Sequence, residues 1–432
     1  MRVLVVGSGG REHALTWACA RSGRADALFA APGNAGMAEL ATTVGVAATD
    51  AGGLAEAVRQ HRIDLVVVGP DAALAAGVAD ACAAAGALVF GPTKAAARIE
   101  SSKVFAKQLM DDAGIATARW AAGSSADREA LLAFARARGG KVAVKADGLA
   151  LGKGVTICDS VAAAQEALTS CFDERKHGAA GDVVLVEELL AGGEVSVFAI
   201  CDGSHAFLLP PARDYKRAFD GDLGPNTGGM GAYSPLPDVD NDALLTSVAA
   251  GIVTPCLTAL RDRGAPFRGC LYAGLMLTAE GPRVLEFNAR FGDPETQALM
   301  PLLDAARFFE LMTAAARGEL PGDGRLTAAA AGVTVVAAGH GYPASSANGL
   351  AIELPSERPD GTVIFHAGTT RDTDGILRTS GGRVLAASAT GADLAAARSW
   401  AYQLLGQVRF DGMRYRQDIA ATAAAVPGNS VQ

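Results

Sequence analysis

Lysine is scarce in this chain: 8 lysines stand beside 30 arginines among 432 residues. Basic side chains are outnumbered as a whole, 38 against 46 acidic ones, for a formal net charge of −8. That balance argues against a protein that coats nucleic acid or an anionic membrane, because both attract positive potential. A local basic pocket for a phosphorylated metabolite stays compatible with it. The seven cysteines (Cys19, Cys82, Cys158, Cys171, Cys201, Cys256, Cys270) include no Cys-x-x-Cys pair, and their number is odd. Neither a disulfide framework nor a zinc site is indicated, which fits a reducing compartment. The mean hydropathy is +0.22, with alanine carrying much of it. Even so, the most suspicious uncharged window, 243–260, holds Thr246, Ser247, Gly251, Thr254, Pro255 and Thr258. A spanning helix wants about 20 predominantly apolar residues, so this window reads better as a buried helix of a soluble domain. The opening MRVLVVGSGGREH lacks the longer apolar core and the small-residue cleavage site of a signal peptide. A cytoplasmic protein is expected. No internal repeat is seen.

At about 150 residues per domain the length suggests roughly three domains, enough to bury several cores without disulfides or metal. RVLVV (2–6), ALFAAPGNAG, IDLVVVGPD (63–71) and GALVFGP (86–92) are strand-like runs separated by helical patterns. They predict an open parallel α/β sheet of about a hundred residues. In such sheets ligands sit beyond the C-terminal strand ends, where the turns Gly7–Gly10, Gly33–Gly36 and Gly69–Asp71 fall. From Thr93 the pattern predicts helices over 94–113 and 125–139 and a strand over 141–148, followed by the glycine loop LALGKGVTI. A helix over 160–172 and strands over 182–190 and 195–201 come next. The stretch 210–237, rich in Gly, Pro, Asp and Asn, reads as a long functional loop. A helix over 241–262 precedes a hairpin of GCLYAGLMLT and GPRVLEFNARFG that turns at Glu280-Gly281. Past about residue 325, short strands and one amphipathic helix suggest a small α+β closing domain, with a disordered tail over 426–432.

Five motifs carry chemistry. GSGGREH resembles a dinucleotide fingerprint but has Glu12 where the third glycine belongs, and the second strand ends in Ala-Ala-Pro-Gly instead of an acid. A nicotinamide cofactor is therefore not expected. The turn can still offer N–H groups and a helix start to a phosphate. In KVAVKADGLALGKGV, Lys145 ends a strand before a loop with Gly148, Gly152, Lys153 and Gly154. This is not a Walker-type P-loop, but two ammoniums beside backbone N–H groups suit a nucleoside triphosphate. In DVVLVEELLAGGEVSV, Glu187 and Glu194 flank a strand crossing. A strand end there can meet an adenine edge, and a carboxylate can accept from ribose hydroxyls. VLEFNARFGDPETQ places Glu286 and Asn288 two apart on a strand, hence on one face, with Arg290 beside them. A carboxylate and an amide oxygen make a hard-oxygen site suited to magnesium, and a guanidinium grips a carboxylate or phosphate through two N–H groups. Finally, ARDYKRAFDGDLGPNTGGMGAYSP combines Asp214, Lys216 and Arg217 with Asn226, Thr227, Gly228 and Gly229, a loop suited to wrapping a polar ligand.

Together, in order, GSGGREHA, APGNAG, VGPD, Ser102-Lys103, VKADGLALGKGV, EELLAGGE, DYKR, GPNTGGMGAYSP and EFNARFGDPE resemble the phosphoribosylamine–glycine ligase family of the ATP-grasp superfamily. The resemblance spans about residues 1–420 and is carried above all by the last two motifs. It implies an α/β fold with four parts: an N-terminal parallel-sheet domain over 1–100, a central ATP-grasp domain over 101–120 and 191–325, an ATP lid over 121–190, and a C-terminal α+β domain over 326–425. It also implies ATP-dependent ligation of glycine to 5-phosphoribosylamine through glycyl phosphate. Under that resemblance Lys145, Lys153 and Arg290 are the expected catalytic residues. Lys103, Lys145, Lys153, Glu187, Leu190 and Glu194 would hold ATP. Gly9, Gly10, Arg11, Gly33, Asn34, Asp214, Lys216, Thr227, Gly228, Gly229, Arg290 and Asp293 would meet the substrates. Glu286 and Asn288 would hold Mg2+ or Mn2+. Only small-molecule partners are expected, with no nucleic acid and no membrane, and the chain is expected to be a monomer or weak dimer. Two departures stand out: Arg213 where the family usually has Gln, and Asp71 where Gly-Pro-Glu is more usual. The strand before Glu286, LYAGLML, brings no further acidic ligand. The main rivals are another ATP-grasp ligase, a dinucleotide-dependent oxidoreductase and a noncatalytic relative.

Overall fold

Val3, Leu4, Val5 and Val6 are wholly buried, as a strand covered on both faces requires. Their strand, Arg2–Gly7, is the centre of a five-stranded sheet. Its order is Thr42–Thr43, Ala27–Pro32, Arg2–Gly7, Leu65–Val68, Leu88–Phe90, and every pairing is parallel. The computed structural model describes residues 1–149 and 154–425. The expected tail over 426–432, and Gly152 and Lys153 of the glycine loop, lie outside the described residues.

A second, antiparallel sheet joins Trp120–Gly123, Val184–Glu188, Lys141–Ala146 and Val155–Asp159. Helices Arg128–Arg136 and Val161–Phe172 cover it, with a separate core that includes Leu131, Leu168, Val144 and Val186. The predicted helix over 94–113 is divided into Arg98–Ser101 and Lys103–Asp112. Ser102 breaks it: its backbone is extended and its hydroxyl accepts from Phe105 N–H at 3.1 Å, so it caps a new helix whose first residue is Lys103.

The central sheet runs Gly281–Asn288, Arg268–Thr278, Gly193–Asp202, Ala206–Leu208, Gly324–Arg325. The predicted hairpin is present, with Thr278 opposite Gly281. One register slip falls where Gly274 faces Glu286 but Leu275 faces Val284, leaving Leu285 as an extra residue. Such a bulge turns the following side chains, and here those belong to Glu286 and Asn288.

The stretch 210–237 is less of a loop than its composition predicts. Arg213–Asp214 and the buried Gly231–Ser234 are strands, and they pair into a sheet with Ala331–Ala338, Arg383–Gly391 and Thr362–His366. That sheet crosses the boundary expected at 326. Buried backbone needs partners, and Ala331–Ala338 supplies them to a segment whose glycines and prolines carry no strand signal of their own. Asn241–Asp262 is a helix which, by length and composition alone, could cross a membrane. Leu244, Leu245, Val248, Ile252, Cys256 and Leu257 pack into the main core instead. Its middle, Ala249–Val253, is a wider π-type turn just before Pro255, which has no N–H to continue the ladder.

Candidate active site

Along the C-terminal half of strand Gly281–Asn288, a cavity of about 140 Å³ is lined by Asp71, Glu100, Lys103, Lys107, Glu187, Glu286, Asn288 and Arg290, with Leu149, Gly154 and Val155 from the side of the Lys141–Ala146 sheet. The structure thus brings together five expected residues from three separate segments: Lys103, Glu187, Glu286, Asn288 and Arg290. Lys145 joins them through Glu187, its Nζ lying 2.7 Å from Glu187 Oε2.

Burial works against the charge of Glu286. Lys145, Lys216, Lys103 and Arg290 together outweigh it and hold the carboxyl below its ordinary range. Glu286 is therefore an anion ready for a cation. Asn288 is 8% exposed and accepts from Arg290 Nη2 at 3.2 Å through Oδ1, so the amide oxygen is oriented toward the same cluster. No group of three or more His, Cys, Asp or Glu suited to a metal occurs among the described residues. Two hard oxygen donors fit a magnesium-type ion that completes its shell with phosphate oxygens and water.

Arg290 also lies 2.9 Å from Glu100 Oε1. Burial opposes its charge, but Glu100 and Asp71 more than compensate, so the guanidinium stays cationic. Burial pushes Glu100 up in spite of Arg290, and a backbone N–H, from Ala289, reaches its Oε2 at 2.8 Å. Burial also pulls Lys103 down, partly offset by Glu286.

Glu187, one of the residues expected to hold ATP, lies on the cavity wall. It is 2% exposed, and both its oxygens face lysines, Lys107 at 2.9 Å and Lys145 at 2.7 Å. Glu194 is half exposed, and Lys216 Nζ lies 3.3 Å from it and 2.8 Å from Asp214. Leu190 is partly exposed just past strand Val184–Glu188. Leu190, Glu194, Asp214 and Lys216 do not line the cavity itself, although Lys216 and Glu286 share an electrostatic field. Arg213 is tied down: Nε donates to Glu194 O at 3.0 Å and Nη1 to Tyr233 Oη at 2.9 Å, with Asp238 at 3.0 Å.

The remaining expected residues meet at the start of helix Gly10–Arg21. Arg11 N–H donates to Asp293 Oδ2 at 3.3 Å, and Arg11 Nη1 donates to Phe291 O at 3.0 Å. Asp293 Oδ1 accepts from Gln297 at 2.7 Å and lies 3.3 Å from Arg383. Thr227 donates to Lys216 O at 2.9 Å and accepts from Gly229 N–H at 3.0 Å. Gly229 has φ +110, and a Cβ there would fall 2.4 Å from Pro294, so glycine is required by both strain and space. Two donors expected to face a ligand are spent inside the protein. The Gly9 N–H donates to Glu12 Oε2 at 2.6 Å. Asn34 donates to Ser8 O and His366 O, both at 2.9 Å, and accepts from Gly36 and Met37 N–H. Glu12 thus caps the helix where a third glycine would have left room, and Asn34 fastens the Gly33 turn. The turn at Gly33 itself has φ +75, which favours glycine.

Sequence reasoning missed Glu100, Lys107 and Arg383. Lys107 had one usable signal, its being one of so few lysines. Glu100 had none, because its partners are distant in the chain.

Residues 1–100, 101–296 and 332–422 match, respectively, the N domain, the ATP-grasp (A) domain and the C domain of phosphoribosylglycinamide synthetase. The chain is 47% identical over 430 residues to the phosphoribosylamine–glycine ligase of Streptomyces coelicolor, covering 98% of this chain and 100% of that one. It is 46% identical over 428 residues to the enzyme of the same name from Mycobacterium leprae, covering 98% and 99%. The crystal structure of phosphoribosylamine–glycine ligase from Thermotoga maritima is similar at a TM-score of 0.85 and 36% identity, over 97% of this chain and 100% of that one. A biotin carboxylase from Campylobacter jejuni shares the fold alone, with a TM-score of 0.72 at 14% identity over 96% of this chain and 92% of that one.

Proposed function

The chain belongs to the phosphoribosylglycinamide synthetase family, and on that premise we propose that it joins glycine to 5-phosphoribosylamine, a step of de novo purine synthesis. ATP is cleaved to ADP and phosphate, and glycinamide ribonucleotide is the product. The observation that carries this reading is the set Glu286, Asn288 and Arg290 facing Lys103 and the Glu187-bound Lys145 around one cavity.

The chemistry first has to bring two anions together, a glycine carboxylate and the ATP γ-phosphoryl group. Lys103, Lys145 and Arg290 supply the compensating charge, and by family resemblance Lys153 belongs with them. A carboxylate oxygen of glycine bonds to the γ-phosphorus as the bond to ADP breaks. The amine nitrogen of phosphoribosylamine then bonds to the acyl carbon of glycyl phosphate. Phosphate leaves with the bonding electron pair, and the amine loses a proton. Glu286 and Asn288 would hold Mg2+ or Mn2+, which when bound neutralises phosphate charge and fixes its orientation. Arg290, braced by Glu100, is assigned to a substrate carboxylate or phosphate because its fork fits either. Leu190 and Glu194 are assigned to adenine and ribose. The Gly9–Arg11 and Gly33–Asn34 turns, Asp214, Lys216, Thr227–Gly229 and Asp293 are assigned to the phosphoribosyl side. There Asn34 acts by holding its turn.

Glycine labelled with 18O in its carboxylate tests the acyl phosphate step. One labelled oxygen should appear in the released phosphate for each turnover. Unlabelled phosphate during product formation contradicts the route.

A further inference from the structure

On one wall of the cavity, buried charges form a closed ring. Lys107, 2% exposed, donates to Thr117 Oγ1 at 2.6 Å and lies 2.9 Å from Glu187 Oε1. Thr117 Oγ1 in turn donates to Val284 O at 2.6 Å. On the other side, Glu187 Oε2 lies 2.7 Å from Lys145 Nζ, which reaches Leu285 O at 3.4 Å. Both arms therefore end on consecutive carbonyls of one strand, at the bulge just before Glu286. The ring ties strands Lys141–Ala146 and Val184–Glu188 to helix Lys103–Asp112 and to the strand that carries Glu286 and Asn288.

Two ammoniums share one carboxylate in this ring, so it keeps a net positive charge. Without Lys107, Glu187 and Lys145 become a closed neutral pair. Buried ion pairs cost desolvation, and apolar packing commonly replaces them at no loss of stability. A role in stability alone therefore does not account for the second lysine.

We propose that Lys107 is a positioning residue for ATP: by taking half of Glu187, it leaves the Lys145 ammonium only partly compensated and free to face the phosphates while it locks strand Val184–Glu188 onto the Glu286 strand. This rests on the ATP-dependent ligase reading above.

The test is a coupled set of variants, read by steady-state kinetics in each substrate and by MgADP titration calorimetry. Lys107→Met should raise the KM for MgATP and the Kd for MgADP tenfold or more. The KM for glycine should stay within twofold. Lys107→Met/Glu187→Gln removes one charge of each sign and frees Lys145, so both constants should improve at least threefold over those of Lys107→Met. Thr117→Val leaves every charge in place and only loosens Lys107, so it covers the case in which Lys107→Met does not fold. It should raise the KM for MgATP about threefold. Unchanged nucleotide constants in Lys107→Met, or in Thr117→Val where the former does not fold, overturn the proposal. So does a double variant no better than the single one. A parent enzyme that binds no MgADP contradicts the underlying ligase reading instead. A parent that binds and turns over normally isolates the failure to Lys107.

Discussion

Arg383 donates through Nη1 to the backbone carbonyl of Asp293 at 2.8 Å. The same nitrogen lies 2.7 Å from Gly228 O and 3.3 Å from Gly229 O. One guanidinium from the last long strand thus pins the glycine turn of the 210–237 segment against the Gly292–Glu295 turn. Arg11 and Gln297 reach the same aspartate from the other side. The site is composite: its parts come from the first, middle and last thirds of the chain and meet at Asp293.

Removing that pin should cost function more than fold. Hydrogen bonds from a charged group contribute about 1.5–3 kcal/mol, and part of that holds the turn. Arg383→Ala should lower kcat/KM for phosphoribosylamine tenfold or more, with a melting temperature only a few degrees lower. Parent-like kinetics would show that the turn holds its place without Arg383.

Glu286→Ala should abolish turnover with the fold intact. The charge of Glu286 is maintained by four surrounding cations, so its loss removes an anion from an already positive pocket without exposing core. A drop in kcat of at least a hundredfold on the order seen for other electrostatic groups is expected, with unchanged circular dichroism. Full activity at ordinary magnesium would remove the metal assignment.

Two buried histidines set an acid limit on stability. Burial, with His366 and Arg358 nearby, lowers His13 to about 3, and burial lowers His366 to about 4. Both are neutral in the fold, whereas in the unfolded chain they protonate near pH 6.5. Between those limits the unfolded chain binds the extra protons, so their stabilisation is complete above about pH 6.5 and is lost as the pH falls. Urea unfolding at pH 5 should give a free energy lower than at pH 7 by about 1–2 kcal/mol per histidine. His13→Asn keeps an acceptor near Nδ1 for His366 N–H, now bonded at 2.8 Å, and should flatten that slope by one proton. An unchanged slope would assign the acid loss to other groups.

Glu12 is 2% exposed and fills the space that side chains at Gly7, Gly9 and Gly69 would take. Glu12→Ala should destabilise the protein by about 2 kcal/mol, through a lost helix cap and the loss of the bond that Arg11 Nε donates to Glu12 Oε1 at 2.6 Å. Equilibrium unfolding measures it. A change under about 0.5 kcal/mol, the scale of an ordinary surface substitution, would mean that the cap is dispensable.

What could be read in the sequence were features that repeat locally. The apolar runs at 2–6 and 63–71 became the parallel sheet. The two-residue spacing of Glu286 and Asn288 put both on the cavity wall, helped by a bulge at Leu285 that no spacing rule foretells. Strands Arg213–Asp214 and Gly231–Ser234 could not be read, because they exist only by pairing with each other and with Ala331–Ala338. The same holds for Glu187. Its motif is visible, but its partner Lys107 lies on a helix far back in the chain, so the buried pair of lysine bridges could not be read from it.

The most direct test of the account is ADP release from magnesium-ATP with glycine and 5-phosphoribosylamine generated in situ, each omitted in turn. The account predicts release only when all three are present, with glycinamide ribonucleotide found by mass spectrometry in equal amount. ATP hydrolysis that ignores glycine, or no hydrolysis at all with every substrate present, would contradict it.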